Sequence, residues 1–160
     1  MARKKVEGRL NEHLIRVSER VPFSIKNLEA GMIAECRYTD LKGQSKRHLM
    51  CILNPYHYGK VHAISLDKIT YSNWNRWVEK IGLRSIENYP NLKLLDIPKV
   101  QVIGTPASFY KGFLRVQFGS DTYGMADSYR TYLYGSIKGL QVVGYKFNSK
   151  LEAQWKSQLK

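Results

Sequence analysis

Residues 31–82 read GMIAECRYTDLKGQSKRHLMCILNPYHYGKVHAISLDKITYSNWNRWVEKIG, and the rest of the chain is arranged around them. Ile33 to Tyr38 alternates apolar and polar side chains in part, as a half-buried strand does. Asp40-Leu41-Lys42-Gly43-Gln44 supplies turn chemistry, with Gly43 free to take a positive φ. His48 to Leu53 (HLMCIL) is a nearly continuous apolar run, short enough for a central strand buried on both faces. Asn54-Pro55 is expected to end that pairing, because proline has no amide donor. Gly59 then precedes a third strand, Val61 to Leu66, and Ser72 is placed to cap a helix with Trp74, Trp77, Val78 and Ile81 on one face and Gly82 as its stop. Three short strands, tight turns and one helix predict an α+β fold built on a small, bent, SH3-like β-barrel. Such a scaffold carries no function of its own.

The chain has 160 residues and a formal charge of +13, from 26 basic against 13 acidic residues. That length fits one domain with a sizeable core. The charge points to a polyanion nearby, nucleic acid before an acidic protein surface and a membrane last. Cys36 and Cys51 are the only cysteines; in a chain that is not a small cysteine-dense scaffold they read as buried free thiols of a reducing compartment. No apolar run is long enough to span a membrane, and the basic start MARKKVEGRL has no apolar segment behind it to make a secretory signal.

The expected organisation is a basic amphipathic arm over 1–21, a single β-rich domain over 22–147 and a helical tail over 148–160. Val6, Leu10, Leu14, Val17 and Val21 form a narrow apolar stripe at helical spacing, with basic residues beside it. The stripe serves either docking, on its own domain or on a neighbouring subunit, or a tether lying along phosphates. Leu151, Trp155 and Leu159 make a second docking stripe in the tail. Residues 85–98 read as an ordered connection. Val100 to Ile103 and Phe113 to Phe118 read as strands, the latter on its clean alternation. Met125 to Ile137 reads as a helix with Met125, Tyr129, Tyr132, Leu133 and Ile137 inward, and Leu140 to Phe147 returns as a strand.

Catalytic chemistry finds little support in these residues. His48, His57, His62 and Cys51, with Glu35 or Asp67, are the candidates, yet Cys51-x5-His57-x4-His62 matches no paired zinc-ligand unit. Nothing marks a base and an orienting group for a Cys–His nucleophile, and no phosphate-cradling loop ends in Lys-Ser or Lys-Thr. No cofactor, metal or small-molecule substrate is therefore expected. Phosphate binding fares better: Lys42, Lys46, Arg47 and Lys60 fall in the hairpin turns, Arg76, Lys80 and Arg84 on and after the helix, and Lys111, Arg115 and Arg130 among tyrosines. Basic side chains interleaved with aromatic rings suit non-specific binding of a nucleic-acid backbone and give no sequence code. The plainer reading of the same tyrosines is core, with the charges outside.

The order of the segments Gly31 to Tyr38, Met50 to Pro55, Gly59 to Asp67 and Tyr129-Arg-Thr-Tyr132 resembles a group of small proteins of large tailed phages, over about residues 31–147. The third strand departs from that pattern, with His62-Ala63-Ile64-Ser65-Leu66 where Gly-Leu-Asn-Leu is commoner. The shared motifs are structural, so the resemblance transfers no active residues. It implies a non-enzymatic virion component of the DNA-end, head-completion or tail and baseplate kind. Such a component would meet other virion proteins and non-specific DNA, in the virion and, before assembly, in the host cytoplasm. A nucleic-acid-binding regulator of the infected host and a small barrel nuclease are the alternatives.

Overall fold

The apolar run Leu49-Met50-Cys51-Ile52-Leu53 is buried at every position because its side chains enter two separate cores in alternation. Leu49, Cys51 and Leu53 join a cluster containing Trp74, Trp77 and Tyr110. Met50 and Ile52 join one containing Ala34, Ala63 and Val142. Period-two alternation with both faces apolar produces this arrangement. The computed structural model describes residues 10, 14–16, 24–40, 42–86, 89–97, 101–118 and 128–145.

In chain order the strands are β1 (Leu14–Arg16), β2 (Ile33–Thr39), β3 (Ser45–His57), β4 (Lys60–Ser65), β5 (Leu83–Ile86), β6 (Tyr89–Leu95), β7 (Tyr129–Leu133) and β8 (Ile137–Tyr145). Helices α1 (Tyr71–Ile81) and α2 (Pro106–Phe118) follow β4 and β6. One six-stranded antiparallel sheet runs β1-β8-β2-β3-β4-β7, and β5-β6 form a separate ribbon. The fold is α+β, mostly strands. The large sheet coils strongly: the Leu133 amide on β7 donates to the Tyr38 hydroxyl on β2 at 3.0 Å, although two strands separate them in the sheet. The rings of Tyr38 and Tyr132 meet edge to face at 5.2 Å across that concavity. The Met50 cluster fills the concave side, and α1 and α2 cover the convex side through Trp74, Trp77, Val78, Tyr110 and Leu114.

Several expectations are corrected. Thr70, not Ser72, caps α1, its Oγ1 accepting from the Asn73 amide at 3.2 Å. Pro55 does not end β3. The strand continues to His57 through register shifts either side of Asn54, and such bulges leave room for a residue with no ladder donor. Strands Leu83–Ile86 and Tyr89–Leu95 pair antiparallel in place of the expected connection, and the second sends Leu94 into the concave core and Leu95 into the convex one. Residues 101–103 have no regular structure. The predicted strand 113–118 belongs to α2, because Tyr110 and Leu114, one turn apart, reach the convex core together. Conversely, residues 129–137 of the predicted helix are β7, a 3₁₀ turn at Tyr134–Ser136 and the start of β8. The open edge of β4 offers β7 a ladder from Lys60 opposite Leu133 to Ile64 opposite Tyr129. Residues 125–127 lie outside the described residues.

Of the N-terminal arm, Leu14–Arg16 is a strand on the edge of β8 and not part of a helix. Leu10 is fully buried in the convex core, its amide donating to Ile69 O at 3.1 Å, and Leu14 packs on the same cluster. Both docking residues therefore sit on their own domain. Val6, Val17, Val21 and the tail stripe Leu151, Trp155 and Leu159 lie outside the described residues.

Candidate nucleic-acid interface

Strand register decides which cations meet. Arg37 on β2 stands opposite Arg47 on β3 and opposite Lys138 on β8. Cross-strand partners point to the same side of a sheet, so Lys138, Arg37 and Arg47 form a transverse row on three adjacent strands, all exposed. Of these three cations only Arg47 has a carboxylate partner among the described residues, Glu35 Oε1 at 3.3 Å. Like charges placed directly opposite one another weaken a sheet, and an external anion would relieve that repulsion.

The hairpin beside the row is stiffened locally. Asp40 Oδ1 accepts from the amides of Lys42 and Gln44, both at 2.9 Å, and the Gly43 amide returns to Asp40 O at 3.0 Å. That closed turn holds exposed Lys42 at its tip and Lys46 opposite Tyr38. Arg47 is thus brought together with Arg37 and Lys138, while Lys46 shares the opposite face with Tyr38 and Lys42 stands at the tip of the turn. Sequence reasoning misses Arg37 and Lys138: Arg37 lies in a stretch that reads as an ordinary half-exposed strand, and Lys138 in the short connection between a predicted helix and the last strand. Their spacing of about a hundred residues carries no local signal.

The remaining predicted cations separate into other settings. Arg84 is engaged within the chain: its guanidinium reaches Ala30 O at 3.1 Å, Glu29 Oε1 at 3.5 Å and Asp96 Oδ1 at 3.9 Å, clipping the β5–β6 ribbon to the segment before β2. Arg76 and Lys80 are exposed on α1, and Lys111 and Arg115 on α2. Arg130 is exposed on β7 with its Nη1 donating to Tyr129 O at 2.7 Å. Lys60 follows the β3–β4 turn, among exposed Tyr56 and Tyr58. The two tryptophans of α1 are fully buried and belong to the core.

Two histidine clusters lie elsewhere. His62 is 1% exposed and stacks on Tyr110 and Tyr129 at ring distances of 4.9 and 5.9 Å. Its Nδ1 shares a 2.6 Å hydrogen bond with the Tyr129 hydroxyl, and Nε2 has no partner among the described residues. Burial first, then the charges of His57 and Lys60, lower its pKa to about 4, so the ring is neutral at physiological pH. Asn54 Nδ2 donates to the Tyr110 hydroxyl at 3.0 Å on the wall of a 330 Å³ cleft shared with Leu28, Glu29 and Pro55. His48, at the mouth of the concave core, has Nδ1 3.4 Å from Asp67 Oδ2. Asp67 in turn accepts from the Leu49 amide at 2.9 Å and the Ser65 hydroxyl at 3.4 Å.

The cysteines face opposite cores, Cys36 the concave and Cys51 the convex. Burial, helped by Asp67 and Glu35, pushes the Cys36 thiol up to about 12, and burial alone raises Cys51 further. Neither is a thiolate at neutral pH. Among the described residues no three of His, Cys, Asp and Glu gather into a metal-holding group, and no helix is long and apolar enough to cross a membrane. In comparisons with known proteins, no family model, no curated protein and no solved structure matches this chain.

Proposed function

We propose that the chain is a basic, non-enzymatic structural component of a tailed-phage particle, which sets the β8–β2–β3 surface against DNA phosphates or an acidic neighbour. The observation that carries this reading is the row Lys138–Arg37–Arg47, a concentration of like charge in which only Arg47 has a carboxylate partner among the described residues. The net charge of +13 supports it as a long-range attraction for a polyanion. The particle itself comes from the resemblance of residues 31–147 to small tailed-phage proteins.

Within the same proposal the scaffold is an SH3-like barrel. The meander β2-β3-β4, a last strand β8 returning to β2, and a 3₁₀ turn between β7 and β8 support it. The segment carrying α1, the β5–β6 ribbon and α2 is then an insertion between the third and fourth barrel strands. Such a barrel serves as a rigid block.

Mass spectrometry of purified particles tests the placement: the chain is expected at fixed stoichiometry, and its absence from particles points to a nucleic-acid-binding regulator of the infected host. A salt series on a DNA duplex tests the surface, with affinity expected to fall steeply from low to physiological salt. The small barrel nuclease is kept as a second reading by one observation, the oriented His48–Asp67 pair. Cleavage of labelled RNA or DNA that is lost in His48→Ala would establish it in place of the structural role.

A further inference from the structure

The β3–β4 turn is built unlike a turn that serves only to connect strands. His57 pairs with Lys60, so the loop is the two residues Tyr58-Gly59, with φ of 50° and 78°. Both values are positive, the geometry in which the first position favours asparagine, aspartate or glycine. A tyrosine there adopts a backbone that bulky side chains avoid, and its ring contributes little to the core, being 88% exposed. Tyr56 beside it is 60% exposed and meets the Tyr134 ring edge to face at 5.1 Å. The Tyr134 amide donates to Gly59 O at 2.9 Å, fixing the turn against the β7–β8 junction. Lys60 is exposed at the same place. Aromatic faces held outward on a stiff turn, with a cation beside them, match what stacked bases and their phosphates require. Tyr38, opposite Lys46 on the concave face, accepts from the Leu133 amide and ties β2 to the end of β7 beside this turn.

We infer that Tyr56, Tyr58 and Lys60 form a stacking site for single-stranded nucleic acid. This rests on the polyanion reading above and names its ligand class: a strand with unpaired bases, in preference to a closed duplex or an acidic protein. Duplex DNA offers phosphates to the row but no free base faces to the tyrosines.

The test is fluorescence anisotropy of the full chain with a labelled oligo-dT of about twelve nucleotides and a labelled duplex of the same length, at several salt concentrations. The wild type is expected to bind the single strand more tightly. Tyr58→Asn, alone and with Tyr56→Ala, is expected to weaken oligo-dT binding about tenfold per ring while leaving duplex affinity and the salt slope unchanged. The melting temperature of Tyr58→Asn should be equal to or above that of the wild type, since asparagine suits the turn better. Equal loss on both ligands, or no loss on either, overturns the stacking site even if Arg37→Ala weakens both. Failure of the wild type to bind either oligonucleotide at low salt overturns the polyanion reading itself and the stacking site with it.

Discussion

Gly31 lies where three segments converge. Its amide donates to Ile52 O at 2.7 Å, and its carbonyl accepts from the Leu95 amide at 3.1 Å. A Cβ at this position would stand 2.0 Å from Leu95 O, with φ already at 93°. Backbone, not a flexible side chain, is the obstacle, so Gly31→Ala is expected to cost about 3 kcal/mol or more, read as a lowered midpoint in urea unfolding. His62 gives a residue-scale prediction of a different kind. Its folded pKa of about 4 lies below the ordinary 6.5, so the unfolded chain binds the proton first as pH falls. Its contribution is complete above pH 6.5, declines through the interval down to about 4 and is flat below. At about 1.4 kcal/mol per unit the interval amounts to about 3 kcal/mol. His62→Gln should remove that part of the slope in stability against pH, and a slope identical to that of the wild type would contradict it.

At the scale of elements, α2 is the least legible in the sequence. Its last six residues, FLRVQF, alternate like a strand, and Gly112 lowers helix propensity. What makes the segment helical is the convex face of the sheet, which takes up Tyr110 and Leu114 with Phe109 and Phe113 packed beside them. The two readings differ sharply at Val116, which a strand would bury with Leu114 but the helix leaves 80% exposed. Val116→Glu is therefore expected to change stability by under about 0.5 kcal/mol, and Leu114→Ala to cost about 2–5 kcal/mol; thermal unfolding of both checks the pair. β7 is the opposite case. Tyr129, Tyr132 and Leu133 sit at helical spacing, yet Tyr129 enters the convex core and Tyr132 the concave one. Residues as rich in β-forming tyrosine and threonine as YRTYL follow whichever partner is available, and here it is the edge of β4. By contrast β2, β4 and α1 are legible, since each has its own turn or cap beside it.

Across the whole molecule, the topology gathers charge that is scattered in the chain. β8 inserts between β1 and β2, and this alone brings Lys138 to Arg37. The double variant Arg37→Ala with Arg47→Ala is expected to lower the slope of log affinity against log salt by about two, one for each phosphate that the variant no longer neutralises. The same change should leave the fold about as stable, because relief of the like charges facing each other across β2 and β3 offsets loss of the half-exposed Arg47–Glu35 pair. A loss of stability with an unchanged slope would place these arginines in the fold and not in binding. Arg84 should behave in the reverse way, since its partners are Glu29, Asp96 and the Ala30 carbonyl within the chain.

Residues 33–53 and 60–81 carry their own structure. Alternation, a continuous apolar run, glycine at turns and a tryptophan face at helical spacing are local signals, and local interactions suffice to express them. The choice between helix and strand at 106–118 and 129–137, the place of β8 and the company each cation keeps are decided only in three dimensions. Short apolar segments and surface charges have no local preference strong enough to resist the partner that the sheet brings to them.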